Sequence, residues 1–470
     1  MFELHHLTAQ EQVEWLRRGE VSPRELAEHY LERIARLNPV LGAFTTVSAE
    51  GALDRADAIA RSASRAATLW GLPLAEKDLT RRAGARTTFG SRLFRDFVPA
   101  ESDELVHVLD AAGAVSLGAT AAPEFGLPSY TEGLAAPPAR NPWNTALGPG
   151  GSSGGAAVAV SAGLLPVAPG SDGGGSVRIP AAATGLVGLK PSRGRIPAGS
   201  GLDRLAGLVV PGPLARTVAD AALLLDAMSE GAWEFSTRAP AWDGGALLNA
   251  AVRGEGRFQL AVMTSSPWDE AYEIALDPAA RDVLDTALRE LDALGHGIEE
   301  LDFGPSPEYA PAFRTIWQAG AAGIPAEGEQ LDLLEPLTRW LVERGRALSA
   351  RELAEALAVL TGFERRVIRS FAPFDAVITP ALAQTPRPIG WWDAEDGERN
   401  FAQQVQYTPF TSFVNVSGLP AITLPVGETS AGLPMGVQLI GRPGREDVLL
   451  AIGAQLERRL RWQRRHPSMW

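Results

Sequence analysis

The amino-acid sequence predicts an α/β fold, in which helices flank a sheet of mixed or parallel strand order. The Ser-Pro-Arg-Glu sequence at 22–25 is a capping box that predicts a helix start, and apolar residues then recur at helical spacing. Residues 102–113 predict a second helix, followed by a short strand at 115–118. Strand, helix and strand signals recur over residues 257–303, and such alternation is typical of α/β proteins.

In this last unit the helix covers 277–294, between strands at 257–263 and 297–303. Beside glycine-rich stretches, residues 156–162 predict a helix of small residues and residues 164–168 a buried strand. Residues 231–400 have a less regular pattern. They hold seven of the twelve tryptophans, which either cover an active site or pack in an ordinary core. These are Trp233, Trp242, Trp268, Trp317, Trp340, Trp391 and Trp392.

Composition excludes several classes of function. The formal net charge of −13, without any long basic run, disfavours binding to nucleic acid. No apolar run approaches the roughly 20 residues of a membrane span, and the first ten residues lack the pattern of a secretory signal. The chain has no cysteine, so it has no disulfide, no thiolate nucleophile and no cysteine-bound zinc. We expect a cytoplasmic protein that acts on a small molecule.

The lysines are unusually rare. Only Lys77 and Lys190 are lysines among the 43 basic residues, and the rest are arginines. Arginine keeps its proton in proteins, whereas a desolvated lysine can lose it and act as a base. Lys77, which follows the apolar run 71–75, is the candidate base. Lys190 lies in the turn-like segment 188–192, where we expect a structural role.

Two glycine-rich stretches carry serines that could act as nucleophiles. Residues 148–155 read Gly-Pro-Gly-Gly-Ser-Ser-Gly-Gly, and residues 170–180 contain three glycines directly before Ser176. Both adjoin long apolar stretches, which favours close backbone approach over a flexible linker. Successive N–H groups before Ser176 could stabilise the oxyanion of a tetrahedral intermediate. Neither stretch has the spacing of a phosphate-binding P-loop.

A serine nucleophile needs a base, and no histidine lies near either stretch. Gly150, Ser152 and Gly154 match the nucleophile elbow of α/β-hydrolases, but only His296 or His466 could then serve as the downstream histidine. Neither position favours that role. A penicillin-binding type of site is excluded, because neither lysine has a serine three residues before it.

The chain resembles the amidase signature family. The resemblance covers most of the sequence and is weakest over residues 230–400. Its segments are residues 72–78, 113–125, 140–143, 150–155, 171–180, 185–192, 417–421 and 432–438. It implies one amidase domain over residues 1–470, with a central mixed β-sheet flanked by helices. Residues 65–225 would form the catalytic core, and residues 231–400 a variable substrate-pocket region.

The resemblance also implies a Ser-cisSer-Lys triad without cofactor or metal. Ser176 is the nucleophile, Ser152 relays the proton after a cis peptide bond, and neutral Lys77 is the base. The expected oxyanion hole is formed by N–H groups of Gly173, Gly174, Gly175 and Ser176. The expected supporting residues are Ser153, Asp172 and Arg178, and the expected substrate contacts are Tyr130 and Gly151.

Glycine at position 173, where many members have threonine or isoleucine, and the segment 90–94 are similar to the 6-aminohexanoate cyclic dimer hydrolase branch. The expected function is hydrolysis of amides, anilides or carbamates through an acyl-enzyme. Two alternatives remain open: the glutaminase subunit of a tRNA-dependent amidotransferase, and a catalytically silent binding protein. The sequence also leaves open whether the chain forms a homodimer.

Overall fold

A computed structural model of the protein describes residues 3–61, 64–196, 205–230 and 245–470. Its α-helices are α1 (Ala9–Arg18), α2 (Pro23–Leu41), α3 (Ala49–Ala60), α4 (Glu104–Ala111), α5 (Gly154–Ser161), α6 (Arg178–Thr184), α7 (Val218–Ser229), α8 (Leu247–Arg253), α9 (Pro278–Ala293), α10 (Tyr309–Ala321), α11 (Pro336–Arg346), α12 (Ala350–Phe371), α13 (Gly397–Tyr407), α14 (Ser412–Ser417) and α15 (Glu446–Leu460). Its strands are β1 (Phe44–Val47), β2 (Pro73–Lys77), β3 (Val115–Thr120), β4 (Val167–Asp172), β5 (Val187–Lys190), β6 (Val210–Ala215), β7 (Gln259–Val262), β8 (Gly297–Glu300), β9 (Ala376–Pro380), β10 (Ala421–Glu428) and β11 (Pro434–Gly441).

Eight strands form the main sheet, in the order β4-β6-β5-β10-β11-β9-β7-β8. Neighbours are antiparallel from β4 to β9, and β9, β7 and β8 are parallel. The predicted α/β fold with a mixed sheet is therefore confirmed. A separate three-stranded sheet, β1-β3-β2, carries the segment that ends at Lys77. The sequence patterns did not distinguish it from the main sheet.

Alternation of side chains along the central strands produces two cores. Ile378 of β9 and Leu439 of β11 belong to one core with residues of α7, α9 and α15. Their chain neighbours Val377 and Ile440 belong to another, with residues of α10, α12 and α14. Because successive side chains of a strand point to opposite faces, these central strands bury both of their faces. The main sheet is thus a rigid layer between two sets of helices.

The structure confirms most predicted elements and corrects two. The capping box at Ser22 is present: its side chain accepts a hydrogen bond from the Glu25 N–H. The strand predicted at 164–168 instead covers Val167–Asp172, because Gly170 and Ser171 pair with β6. Most of the segment 231–400 is regular rather than irregular, since it forms α8–α13 where described. Residues 231–244 lie outside the described residues, and with them Trp233 and Trp242.

Helix α5 holds the end of the first glycine-rich stretch against the three-stranded sheet. All eight of its residues are buried, as expected for a helix that is apolar all round. A Cβ atom on Gly155 would overlap backbone atoms of Ala121 and Ala43. The absence of a side chain here therefore allows the helix to lie directly on the neighbouring backbone, which positions Ser152 and Ser153 just before it.

We expect Gly155→Ala to destabilise the protein by about 1–3 kcal/mol, since overpacking at this contact outweighs the higher helix propensity of alanine. The matched control is Gly362→Ala in the middle of α12, where an added Cβ meets nothing within 4 Å. That substitution should raise the free energy of unfolding by up to about 1 kcal/mol. Thermal unfolding of both variants checks this, and equal melting temperatures would contradict the close packing of α5.

Candidate active site

The candidate base lies at the end of a fully buried strand. All five residues of β2 are buried, and Lys77 is only 2% exposed. Its Nζ lies 2.8 Å from Ser152 Oγ, 3.1 Å from Ser171 Oγ and 3.4 Å from the Ser171 carbonyl oxygen. Burial lowers the pKa of Lys77 to about 7, although the negative charge of Asp172 opposes this shift. A substantial fraction of this amine is therefore neutral near pH 7.

The two serines of the predicted triad lie on adjoining loops. The Gly151–Ser152 peptide bond is cis, as the resemblance implied. The Ser153 N–H donates a 3.1 Å hydrogen bond to the carbonyl oxygen of Ser176, and this bond joins the two loops. The hydroxyl of Ser153 also contacts the Ser171 backbone, at 3.2 Å from its oxygen and 3.3 Å from its nitrogen. The hydroxyls of Ser152 and Ser176 are not hydrogen-bonded to each other.

A buried ion pair shapes the loop that carries Ser176. Asp172 Oδ1 accepts a 2.7 Å hydrogen bond from the Gly175 N–H, and Oδ2 accepts one of 3.1 Å from the Val177 N–H. Arg178 contacts the same carboxylate at 3.0 and 2.9 Å, and both side chains have no exposed surface. Burial alone would raise the pKa of Asp172, but the charge and hydrogen bonds of Arg178 outweigh it and hold the pKa well below its ordinary value.

Arg178 is held in turn by residues far away in the sequence. Its remaining N–H groups donate to the Thr411 carbonyl oxygen at 3.0 Å, to Gln438 Oε1 and to Asn415 Oδ1 at 2.7 Å. With the two bonds to Asp172, all five guanidinium donors have acceptors. Asn415 also donates to Asp172, through its side-chain nitrogen. No local sequence pattern indicates a role for Thr411, Asn415 or Gln438, although Gln438 lies in a segment that carries the resemblance.

Three backbone N–H groups remain unengaged around Ser176. Within the described chain, those of Gly173, Gly174 and Ser176 donate to no other protein group. The N–H of Gly175, which was expected beside them, is instead bonded to Asp172. Gly175 has φ 129°, and a Cβ atom there would overlap the Thr411 side chain. Glycine is therefore needed at this position for its conformation and for space.

A cavity that is partly open to solvent lies beside Ser176 and Gly174. Its walls carry the aromatic rings of Trp268, Phe313, Trp317 and Phe401. Two tryptophans of the region 231–400 thus line the candidate site. The other three described tryptophans of this region do not line the cavity. Trp340 packs against Phe401, Trp391 packs against Trp392, and Trp392 stacks on Tyr130.

The two expected substrate contacts, Tyr130 and Gly151, pack against each other. The Tyr130 ring stacks on Trp392 with centroids 4.6 Å apart, and its hydroxyl accepts a 2.9 Å hydrogen bond from Asn400. The Tyr130 backbone packs against Gly151, where a Cβ atom would lie 2.6 Å from the Tyr130 carbonyl oxygen. Neither residue lines the cavity. Their role in substrate binding stays a prediction, and their observed role is packing.

The second lysine does not lie in a turn. Lys190 ends β5, is buried, and donates from Nζ to the Pro191 carbonyl oxygen at 2.9 Å. Burial lowers the pKa of Lys190 to about 7, with help from the charge of Arg178. It contacts neither Ser152 nor Ser176, so the structural role expected for it agrees with its contacts.

The histidine alternative has no geometric support. The two candidates interact elsewhere: His296 Nδ1 accepts from the Phe258 N–H at 3.1 Å, and the His466 ring stacks on Trp470. Among the described residues, one group has ligand atoms spaced closely enough for a metal ion, namely Glu3, His5 and His29, and none of these lines the cavity. No described helix combines the length and hydrophobicity that crossing a membrane requires.

The chain matches known proteins over most of its length. The family model described as Amidase matches residues 25–450. The putative amidase AmiB2 of Mycobacterium tuberculosis is 37% identical over 97% of this chain and 97% of its own. A glutamyl-tRNA(Gln) amidotransferase subunit of Azotobacter vinelandii is 36% identical over 99% of this chain and 100% of its own. The solved structure of 6-aminohexanoate cyclic dimer hydrolase complexed with substrate matches with a TM-score of 0.90 and 31% identity, over 99% of this chain and 100% of that one.

We expect Asp172→Asn to lower the free energy of unfolding by about 3–5 kcal/mol, because it leaves the Arg178 charge buried without its counter-ion. The control is Glu355→Gln, which breaks the solvent-exposed pair of Arg351 and Glu355 on α12. Its effect should stay below about 1 kcal/mol. Denaturant unfolding followed by circular dichroism measures both. If both variants lower the free energy of unfolding equally, the buried pair stabilises the fold no more than the exposed pair does.

Proposed function

The chain belongs to the amidase signature family and is a hydrolase of amide C–N bonds, and from this premise we propose that it acts through an acyl-enzyme formed on Ser176. Ser152 relays the proton and neutral Lys77 is the base. The observation that carries this proposal is the 2.8 Å contact between Lys77 Nζ and Ser152 Oγ in a buried site. Serine is a weak nucleophile, and the buried amine supplies the base that it requires.

The contacts of Lys77 suit a neutral amine. Such an amine has two N–H donors and one lone pair. Its two N–H groups can donate to the hydroxyl and carbonyl oxygen of Ser171, which leaves the lone pair to accept the proton of the Ser152 hydroxyl 2.8 Å away. Ser152 donates its proton to Lys77 as it takes the proton of Ser176, whose oxygen attacks the carbonyl carbon. The proton then returns through Ser152 to the leaving nitrogen, and water hydrolyses the acyl-enzyme.

The oxyanion that forms in each step needs preorganised donors. The unengaged N–H groups of Gly173, Gly174 and Ser176 fit this role, since they lie at the nucleophile and no protein acceptor competes for them. Gly175 contributes differently from the expectation for it: its N–H ties the loop to Asp172, and this bond orients the neighbouring donors. Asp172, Arg178 and Ser153 are thus positioning residues rather than reacting groups.

A second candidate function is the glutaminase subunit of a tRNA-dependent amidotransferase. It is favoured by the amidotransferase subunit that matches at 36% identity, close to the 37% of the putative amidase. Both functions use the same catalytic groups. They differ in substrate and in the requirement for partner subunits, so a substrate panel separates them.

The test is hydrolysis of 4-nitroacetanilide, a 6-aminohexanoate amide, an aryl carbamate and glutamine by the wild type, Ser176→Ala and Lys77→Arg. We expect cleavage of at least one of the first three by the wild type alone. Both variants should lose at least about 100-fold in kcat/KM. Ser176→Ala removes the nucleophile, and Lys77→Arg removes the base, because arginine keeps its charge and cannot accept the proton. An active Lys77→Arg enzyme would exclude Lys77 as the base. Cleavage of glutamine only, or activity only with added partner subunits, would favour the amidotransferase subunit.

We also expect kcat/KM for an uncharged amide to rise with pH and to level off above about pH 7. Below the pKa of about 7, Lys77 is protonated and cannot act as a base, so activity falls about tenfold per pH unit. Lys190 has a similarly lowered pKa but no contact with the serines, so Lys190→Met should keep this dependence. Steady-state kinetics between about pH 5.5 and 9 provide the measurement. A profile that is flat across pH 7 would rule out Lys77 as the titrating base.

A further inference from the structure

We propose that the cavity beside Ser176 binds the acyl group of the substrate and selects an uncharged, mainly apolar one, such as an alkanoyl or arylalkanoyl group. This inference rests on the proposed function, because it assumes that Ser176 is acylated. It goes further by assigning the cavity to one side of the scissile bond and by naming the chemical class that fits it.

No charged side chain lines the cavity among the residues that the structure describes. None of its lining residues is an aspartate, glutamate, lysine, arginine or histidine, and aromatic rings form much of the wall. An ammonium or carboxylate group of a substrate would therefore give up part of its hydration on entering the cavity without gaining a counter-ion, which costs free energy. Apolar surface, by contrast, is stabilised by leaving water.

The polar groups of the wall are largely bonded to each other already. Ser412 Oγ lies 2.9 Å from Trp268 Nε1 and 2.8 Å from the Tyr309 hydroxyl. Gln404 accepts from the Ser129 N–H at 2.7 Å and donates to Asn400 Oδ1, also at 2.7 Å. These groups have little capacity left for a substrate.

The remaining hydroxyls add little. Thr408 Oγ1 lies 2.9 Å from the hydroxyl of Thr411. Among the described side chains of the wall, only the Ser129 hydroxyl is buried without a hydrogen-bond partner. One hydroxyl can bind one neutral polar atom, but it cannot replace the hydration of an ion.

The position of the proton relay assigns the cavity to the acyl side. The leaving nitrogen must face Ser152, which returns the proton to it. Ser152 does not line the cavity. It lies towards Lys77 and Gly126, where a Cβ atom on Gly126 would be 3.3 Å from its Oγ. With the carbonyl carbon at Ser176 and the nitrogen towards Ser152, the cavity remains for the acyl substituent.

A matched pair of substrates isolates the charge. Heptanoyl 4-nitroanilide and 6-aminohexanoyl 4-nitroanilide have the same leaving group and acyl chains of the same length, and they differ in a terminal methyl against an ammonium group. We expect wild-type kcat/KM to be at least about 100-fold higher for the heptanoyl substrate, because the ammonium group would be buried unpaired. Phenylacetyl 4-nitroanilide should be cleaved well, and γ-glutamyl 4-nitroanilide, which carries two charges, poorly.

A variant tests whether the wall itself sets the preference. Gln404→Glu introduces a negative charge into the cavity with almost no change in shape, and it should reduce the heptanoyl preference at least about tenfold. The control is Gln406→Glu on the same helix, which makes the same charge change at a residue outside the cavity. That control should leave the preference unchanged.

The outcomes distinguish failure of the acyl-group inference from failure of the acyl-enzyme proposal. Equal or faster cleavage of the 6-aminohexanoyl or γ-glutamyl substrate by the wild type would overturn the acyl-group inference and leave the acyl-enzyme proposal intact. Labelling of Ser176 by a fluorophosphonate reports on the nucleophile independently of the substrate. If no anilide is cleaved and Ser176 is not labelled, the acyl-enzyme proposal and the inference that rests on it both fail. The wild-type ratio decides the inference even if the Gln404 variant does not fold.

Discussion

The buried pair of Asp172 and Arg178 is the interaction on which the rest of the site depends. A carboxylate and a guanidinium without exposed surface are costly to desolvate, and such a pair persists when hydrogen bonds satisfy the remaining donors and acceptors. Here all five donors of Arg178 have acceptors, and Asp172 additionally holds the backbone of Gly175 and Val177. The loop that presents Ser176 is thereby fixed from both sides. Within the described chain, the N–H groups of Gly173, Gly174 and Ser176 on this loop have no protein acceptor, whereas those of Gly175 and Val177 are bonded to Asp172.

The charge of Asp172 also acts on Lys77, the proposed base. A lone carboxylate in this dry interior would attract a proton to the lysine and keep its pKa high, as the opposing influence of Asp172 shows. Arg178, which carries the opposite charge, lies 3.0 Å from that carboxylate. Burial then dominates and lowers the pKa of Lys77 to about 7. Burial, rather than the charges of this ion pair, therefore sets the protonation state of the proposed base.

Local sequence was sufficient to predict those parts of the protein that local physics determines. The capping box at Ser22, the buried run before Lys77 and the close approach of the glycine-rich stretches need only neighbouring residues. The boundary of β4 was wrong because pairing with β6 extends the strand through Gly170, where propensity predicts a loop. Asn415 and Gln438 could not be assigned, since each meets Arg178 across more than about 200 residues of sequence. For the tryptophans, packing between distant helices decides which rings reach the cavity.

The proposed activation of the base and the proposed discrimination against charged substrates have a common physical origin. A substantial fraction of Lys77 is neutral near pH 7, because water is excluded around it and the energetic cost of burying its charge lowers its pKa. A substrate ion that enters the cavity gives up hydration, and the described wall offers it no counter-charge. Exposure of Lys77 to water would likewise return its pKa towards 10.5. The proposed Ser-Ser-Lys site is therefore suited to uncharged amides, since it combines a base whose pKa is lowered by burial with a proposed acyl pocket whose described wall carries no counter-charge.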